Sequence, residues 1–445
     1  MTALPDQSRL IERAAALVEA ARRAGADAAD AVAVRRVGLS IDVRAGAVDE
    51  TTRAESDEVA LRVFVGRRHA SVSTNGIAAA DVLAERAVAM AKAAPEDRFA
   101  GLAPEERLAK SWPDLDLLDD TIPDASLLTE RARRAEAAAM AVKGVSKTGG
   151  ASAGWGLAGA VIVTSHGFSG AYLGSRHSVS ATAIAGEGTA MERDYDGDSK
   201  VHAEDLRDPE AIGTEAGQRA ARRLSPGKLP TGRTVVVFDP RVAASLVGHF
   251  AGAVNGASIA RRTSFLQQAL ATAVFSAGIR ITDDPLRPRG LASRPFDGEG
   301  VLAEPLDLVR DGVLKSWLLD SATARELGLA TNGRGAAGGG GPHPTNLTLL
   351  PGTISPQQLI ADVGEGFYVT ELIGHGVNGV TGDYSRGAGG FRITGGSLAE
   401  PVSEITIASN LKDMFSRMLV ADDLVYRSTV NAPTLAIEGM TIAGR

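Results

Sequence analysis

The sequence predicts an α+β protein of two domains: an N-terminal helix and antiparallel-sheet domain, and a C-terminal, mainly β, glycine-rich domain. Three observations carry that expectation. Helical and β-like periods fall in separate blocks instead of alternating regularly, which argues against a doubly wound sheet. The segment SPGKLPTGR at 225–233 sets two prolines and two glycines beside two basic residues, the composition of a linker. Glycine, at 51 of 445 residues, is in excess, and it concentrates in the second half. The expected division is residues 1–225, a linker at 226–233, and residues 234–445. A chain of 445 residues, at roughly 100–200 per domain, has length for two or three such units.

The elements follow in order. Leu10, Ile11, Ala14, Leu17, Val18 and Ala21 recur at helical spacing, so residues 8–24 form an amphipathic helix. From 31 to 73 the runs AVAVRRV, LSIDVRAG, VALRVFVG and RHASVS read as short antiparallel strands separated by polar or glycine turns. Alanine-rich helices are expected at 78–94 and about 125–142, then further strands through GLAGAVIVTSHGFSGAYLGSRHSVSATAIAGEG. A helix over 203–224 stops at Pro226. Past the linker, TVVVFDP is a strand and about Pro240 to Val254 a helix, followed mainly by β-like runs broken by glycine.

Composition excludes several kinds of chemistry. There is no cysteine, which removes disulfides, thiolate nucleophiles, iron–sulfur clusters and cysteine-ligated zinc. The formal charge of −7 and scarce aromatic residues disfavour direct binding of nucleic acid. The N-terminal stretch carries charges every few residues and no stretch reaches the length of a membrane span, so a cytoplasmic protein without membrane attachment is expected.

Several motifs match in letters but not in context. Gly374-His375-Gly376-Val377-Asn378-Gly379 fits GxGxxG after a plausible strand, yet VTGDYSRGAGGF follows, and no helix starts there to receive a pyrophosphate. A backbone-lined groove or turn cluster is the better reading. GRGAAGGGG at 333–341 lacks the Lys-Ser/Thr pair of a phosphate loop and reads as a mobile loop, or as a lid if it borders a cleft. Gly150-Ala151-Ser152-Ala153-Gly154 fits GxSxG, but β-like sequence follows where a nucleophile elbow needs a helix. Asp194-Tyr195-Asp196-Gly197-Asp198 lacks the spacing of a calcium loop and reads as a solvated turn. No two of the seven histidines lie one helical turn apart, the pattern a helical zinc site requires.

A set of long phrases carries a resemblance. SHGF at 165–168, SRHSVS at 175–180, MERDYD at 191–196, VGHFAGAVNGASIARRTSFL at 247–266, TELIGHGVNGVTGDYSRGAGGF at 370–391 and PVSEITIASNLKDMF at 401–415 together resemble the TldD/PmbA family, in its PmbA (TldE) branch. Its members were once described as modulators of DNA gyrase. The resemblance implies a subunit of a cytoplasmic metallopeptidase. In such complexes a TldD-type partner carries a zinc-binding HExxxH helix, in which two histidines one turn apart hold the metal and the glutamate handles the proton of the attacking water. The complex encloses a cleft that takes unfolded or extended peptides. At the corresponding helix this chain reads Gly248-His249-Phe250-Ala251-Gly252-Ala253-Val254, with one histidine and no following glutamate. No catalytic residue, metal ligand or cofactor is therefore assigned to this chain, and zinc is expected in the partner.

The resulting expectation is a non-metal subunit, dimeric with a TldD-type partner, that shapes the cleft and binds peptide. Candidate peptide-binding residues are His249, Gly374, His375, Gly376, Asn378, Asp383, Tyr384, Ser385 and Arg386. Glycines there let a substrate strand approach the backbone closely; the alternative is that the polar residues only stabilise turns. A non-enzymatic peptide-binding or regulatory homodimer is a second reading, and hydrolysis through Ser152 a third.

Overall fold

The computed structural model describes residues 6–75 and 79–444. The fold is α+β, as the separated periods predict. Helix α1 (Gln7–Arg23) buries Leu10, Ala14, Leu17, Val18 and Ala21. Asp6 caps it by accepting from the Arg9 N–H. Six strands then form one antiparallel sheet: β1 (Ala28–Arg44), β2 (Ala47–Val65), β3 (Arg68–Thr74), β4 (Val145–Thr164), β5 (Ser169–Ala185) and β6 (Glu192–Lys200), in the order β3-β2-β1-β4-β5-β6. The strands are longer than the short runs expected. AVAVRRV and LSIDVRAG are one strand, because Gly38 pairs in register with Ala54 and Gly156 on either side and does not interrupt it.

Register explains why every helix of this half lies on one face. The odd-numbered residues Ala31, Ala33, Ile41 and Val43 of β1 sit opposite Val163, Val161, Ala153 and Ala151 of β4. Side chains alternate along a strand, so these share a face. Helices α1 and α2 (Ala80–Ala93) cover one end of it, and α3 (Ala125–Met140) with α4 (Pro209–Arg222) the other. The part of the expected second helix that falls on residue 78 lies outside the described residues. The helices pack tightly because of glycine: a Cβ on Gly213 of α4 would stand 1.9 Å from the Ala135 carbonyl oxygen of α3. The helix expected over 203–224 begins only at Pro209, where Asp208 accepts from the Glu210 N–H and proline takes the first turn.

The acidic run at 194–198 is a correction to the solvated turn expected of it. It is part of β6, and Asp194, Asp196 and Asp198 are all buried. Register places them beside Ala183, Ala181 and Val179 on the helix-covered face. There Asp196 lies 2.8 Å from Arg219 of α4 and 2.6 Å from Arg207 just before that helix, and Asp194 lies 2.9 Å from Arg241.

The second half opens with β7 (Gly232–Phe238) and α5 (Pro240–Ala253), followed by α6 (Gly256–Ala260). A small sheet of β8 (Ile281–Asp283), β9 (Leu306–Arg310), β10 (Val313–Leu314), β11 (Leu347–Leu349) and β16 (Val430–Asn431) runs in the order β10-β9-β8-β11-β16. A larger one contains β12 (Gly366–Ile373), β13 (Asp383–Thr394), β14 (Ser397–Asn410), β15 (Met418–Val420) and β17 (Leu435–Ala443). Its order is β14-β13-β12-β7-β17-β15, and β14 also pairs with β17, closing five strands on themselves. Helices α7 (Ser321–Leu327), α8 (Pro356–Val363) and α9 (Leu411–Ser416) complete this half. Its core includes Leu246, Val247 and Phe250 of α5, with Phe275 stacked on Phe415 at 4.5 Å.

The even face of the first sheet meets the second half through an aromatic knot. Phe296 lies 5.0 Å from Phe168, 4.7 Å from Trp112 and 5.6 Å from Tyr172, with the rings edge to face in each case. Among the described residues no helix is long and apolar enough to cross a membrane.

Candidate functional site

Helix α5 anchors the site. Asp239 caps it by accepting from the Arg241 N–H, with Pro240 in the first turn. Its apolar side sinks into the core through Ala243, Leu246, Val247 and Phe250. Val242, Ser245 and His249, at helical spacing, follow another side of the helix. Opposite them lies the β12–β13 hairpin. Its turn is the GxGxxG segment, and it leads into β13 rather than a helix. Gly374 has φ +82°, and Gly376 allows a close approach, since a Cβ there would stand 2.0 Å from the Ser385 carbonyl oxygen.

The structure brings most of the predicted residues together. His375, Gly376, Asn378, Asp383, Tyr384 and Ser385 surround a shallow depression of about 590 Å³. His249 meets Tyr384 edge to face at 6.1 Å. Arg386 borders a separate, more enclosed cavity further along β13.

The residues divide by what their polar atoms do. Asn378 and Asp383 serve the turn itself: the Asn378 side chain accepts from the Val380 N–H at 2.9 Å, and Asp383 accepts from Thr381 and Asn410. Those bonds hold the Asp383 carboxyl below its ordinary pKa. His249 and Tyr384 differ. The Nε2 of His249 and the hydroxyl of Tyr384 are buried and make no hydrogen bond within the chain. Burial, followed by the charge of Arg386, lowers the His249 pKa, so the ring is neutral at pH 7. Burial raises that of Tyr384, so its phenol keeps its proton.

That half-open cavity holds about 400 Å³ between the two halves of the molecule. Arg193, Asp194 and Tyr195 of β6 face Arg241 and Ser245 of α5 and Thr370, Glu371 and Arg386 of the hairpin across it. Arg223 ties the walls together, lying 3.6 Å from Asp194 and bonding Glu371. A neighbouring cleft of about 770 Å³ continues past Tyr195, Asp239 and Tyr368. Sequence reasoning missed Arg193, Ser245 and Glu371. The signals were present: Ser245 lies one helical turn before His249, and Arg193 and Glu371 fall inside two of the phrases that carry the family resemblance.

The donor set does not fit a zinc ion. His249 is followed one turn on by Ala253, and the charge acting on it is that of Arg386, which disfavours protonating the ring. Among the described residues no group of three or more His, Asp or Glu side chains is placed to hold a metal. The GxSxG serine gains no support as a nucleophile, since Ser152 lies in mid-strand, paired to Asp42 on one side and Ser180 on the other.

The fold joins a helix-covered sheet to a closed C-terminal β-structure, and its parts match the domains of one protein family. Residues 29–91, 118–224 and 231–444 match, respectively, domain 1, the central domain and the C-terminal domain of the PmbA/TldA metallopeptidases. The chain belongs to the PmbA/TldD family. It is 36% identical to the metalloprotease PmbA of Escherichia coli O157:H7, over 99% of this chain and 97% of that one. It is likewise 36% identical to a metalloprotease PmbA homolog of Haemophilus influenzae, over 96% and 94% of the two chains. A crystal structure from Bacteroides thetaiotaomicron, of a protein ascribed a role as modulator of DNA gyrase, superposes with a TM-score of 0.90 at 26% identity, covering 99% of this chain and 100% of that one. TldE from Thermococcus kodakarensis shares the fold, with a TM-score of 0.86 at 18% identity over 96% and 99% of the chains.

Proposed function

We propose that this chain is the TldE-type, non-metal subunit of a cytoplasmic heteromeric peptidase, and that it shapes the cleft and binds extended peptide while a TldD-type partner holds zinc and cuts. One observation carries the reading. The helix where the family resemblance places a metal-binding motif has a single histidine, held neutral and facing Tyr384, and the buried Nε2 of that histidine and the Tyr384 hydroxyl on the hairpin opposite both lack partners. A buried donor or acceptor left unmade costs about 1–3 kcal/mol, so such atoms favour a ligand that completes them. Full-length relatives named as metalloproteases support the peptidase assignment.

The test is to purify the chain alone and with a TldD-type subunit, then measure bound zinc and cleavage of an unstructured peptide. The expected result is cleavage by the mixture, with zinc bound to the partner. Zinc-dependent cleavage by this chain alone, at the rate of the mixture, would overturn it.

A further inference from the structure

The half-open cavity lined by Ser245, one helical turn before His249, has a chemistry that the proposed function does not use. Four guanidinium groups, from Arg193, Arg223, Arg241 and Arg386, line it against two carboxylates, Asp194 and Glu371. Arg223 and Arg241 are committed: Arg223 bonds Glu371, and Arg241 lies 2.9 Å from Asp194 and 3.3 Å from Asp239. Arg386 donates only to the Ile373 carbonyl, at 3.4 Å, and among the described residues no carboxylate pairs with it or with the exposed Arg193. Two positive charges therefore face the cavity unneutralised by direct contact.

Outside the cavity lining, on the adjoining stretch of the same wall, two further polar groups lack partners. Residues two apart on a strand share a face, so Tyr384 and Arg386 point the same way from β13, toward α5. Tyr384 is 1% exposed, and its hydroxyl has no partner. His249, across from it, has a buried and equally unpartnered Nε2. Ser245, one turn back, already donates to the Val242 carbonyl at 2.6 Å. Arginine N–H groups and a phenolic O–H are donors, and a neutral imidazole can present an N–H at Nε2. Backbone carbonyls and carboxylates both only accept, but the carboxylate alone brings the negative charge that offsets a free guanidinium, and the guanidinium fork meets it with two parallel bonds.

We propose that this cavity is a carboxylate subsite, in which Arg386 and Arg193 fix a carboxylate of the bound peptide. The inference rests on the peptide-binding reading above and deepens it by naming the substrate chemistry. The carboxylate has two possible sources, the free C-terminus of the peptide or an acidic side chain within it, and the experiment separates them.

Four versions of one short, otherwise neutral peptide serve as probes: free acid, C-terminal amide, amide with one internal glutamate, and amide with glutamine in its place. Binding is followed by fluorescence anisotropy on the full chain assembled with a metal-stripped TldD-type subunit, so that no cleavage intervenes. The free acid should bind about ten- to a hundredfold more tightly than the amide if the subsite takes the C-terminus, and the glutamate peptide more tightly than the glutamine one if it takes a side chain. In Arg386→Gln the preference should shrink about tenfold or more. Arg193→Gln, at an exposed position that does not threaten folding, should weaken it in the same direction. Four peptides binding within about twofold of one another, or a preference that survives both substitutions, would overturn the carboxylate subsite while leaving peptide binding intact. Failure of all four to bind would overturn the peptide-binding function itself.

Discussion

Two glycine-rich segments look alike in the sequence and differ in the folded protein. The segment at 333–341, expected to be a mobile loop, is clamped. Arg334 is fully buried and lies 2.6 Å from the equally buried Asp283. The Gly335 N–H donates to Asp297 at 2.7 Å, and Glu299 packs so closely that a Cβ on Gly335 would stand 2.8 Å from its Cγ. The turn over 337–339 then rests on β1 and β2 of the first sheet, next to the Arg62 side chain. The segment at 374–390 instead opens on the cleft, with exposed residues from Ile373 to Gly376 and with polar atoms of Tyr384 and His249 left unpaired. Glycine serves close packing of one segment against the rest of the chain, and in the other it leaves backbone open beside a cavity. What separates them is the buried arginine–carboxylate anchor, which only the first possesses.

Several substitutions would break or sharpen that contrast. Arg334→Ala should have the largest effect, because it leaves Asp283 buried without its charge partner. A loss of about 3–5 kcal/mol is expected, read by denaturant unfolding. The matching change in the open segment, Gly376→Ala, forces a Cβ onto the Ser385 carbonyl. It should cost about 1–3 kcal/mol and weaken peptide binding at the same time, whereas Arg334→Ala at temperatures where it remains folded should leave binding intact.

The titrations differ as well. Burial and the neighbouring Asp297 push Glu299, beside the clamped segment, up to about 7. The folded protein therefore holds a proton there that the unfolded chain has released. That contribution to stability is complete below the ordinary glutamate pKa and is lost as pH rises through about 7. Glu299→Gln should flatten this decline in a series of unfolding curves against pH. In the open segment, His249 should titrate below its ordinary value in a histidine NMR titration, and Arg386→Gln should move it upward by removing the charge that opposes protonation. An unchanged midpoint in that variant would mean that the two side chains do not share the cleft wall. The smallest effect is expected at Ser152→Ala. The residue is in mid-strand, so stability should change by less than about 0.5 kcal/mol and peptide cleavage by the assembled complex not at all.

The comparison also shows which part of the site was legible. The hairpin residues His375, Gly376, Asn378, Asp383, Tyr384 and Ser385 stand close together in the sequence, so one turn of chain collects them. Their division into turn-stabilising and unpartnered groups was not legible, because Asn378 and Tyr384 are distinguished only by what surrounds them. Arg193 and Ser245 escaped notice for another reason. They come from distant elements, and the seam between β6, α5 and the hairpin is what gathers them.

Several properties needed nothing beyond the residues themselves. The absence of cysteine, the single histidine at 249 with no partner one turn away, and the separated helical and β-like blocks follow from composition and local spacing, and they are independent of how distant parts meet. Tertiary structure decided the rest. Pairing of β5 with β6 turned an apparent acidic turn into a strand with one buried face, on which Asp196 meets Arg219 of α4. Packing fixed one glycine loop and left the other beside the cleft. The physical reason is that burial and charge pairing are properties of contacts between segments far apart in the chain, and the local pattern of residues does not specify them.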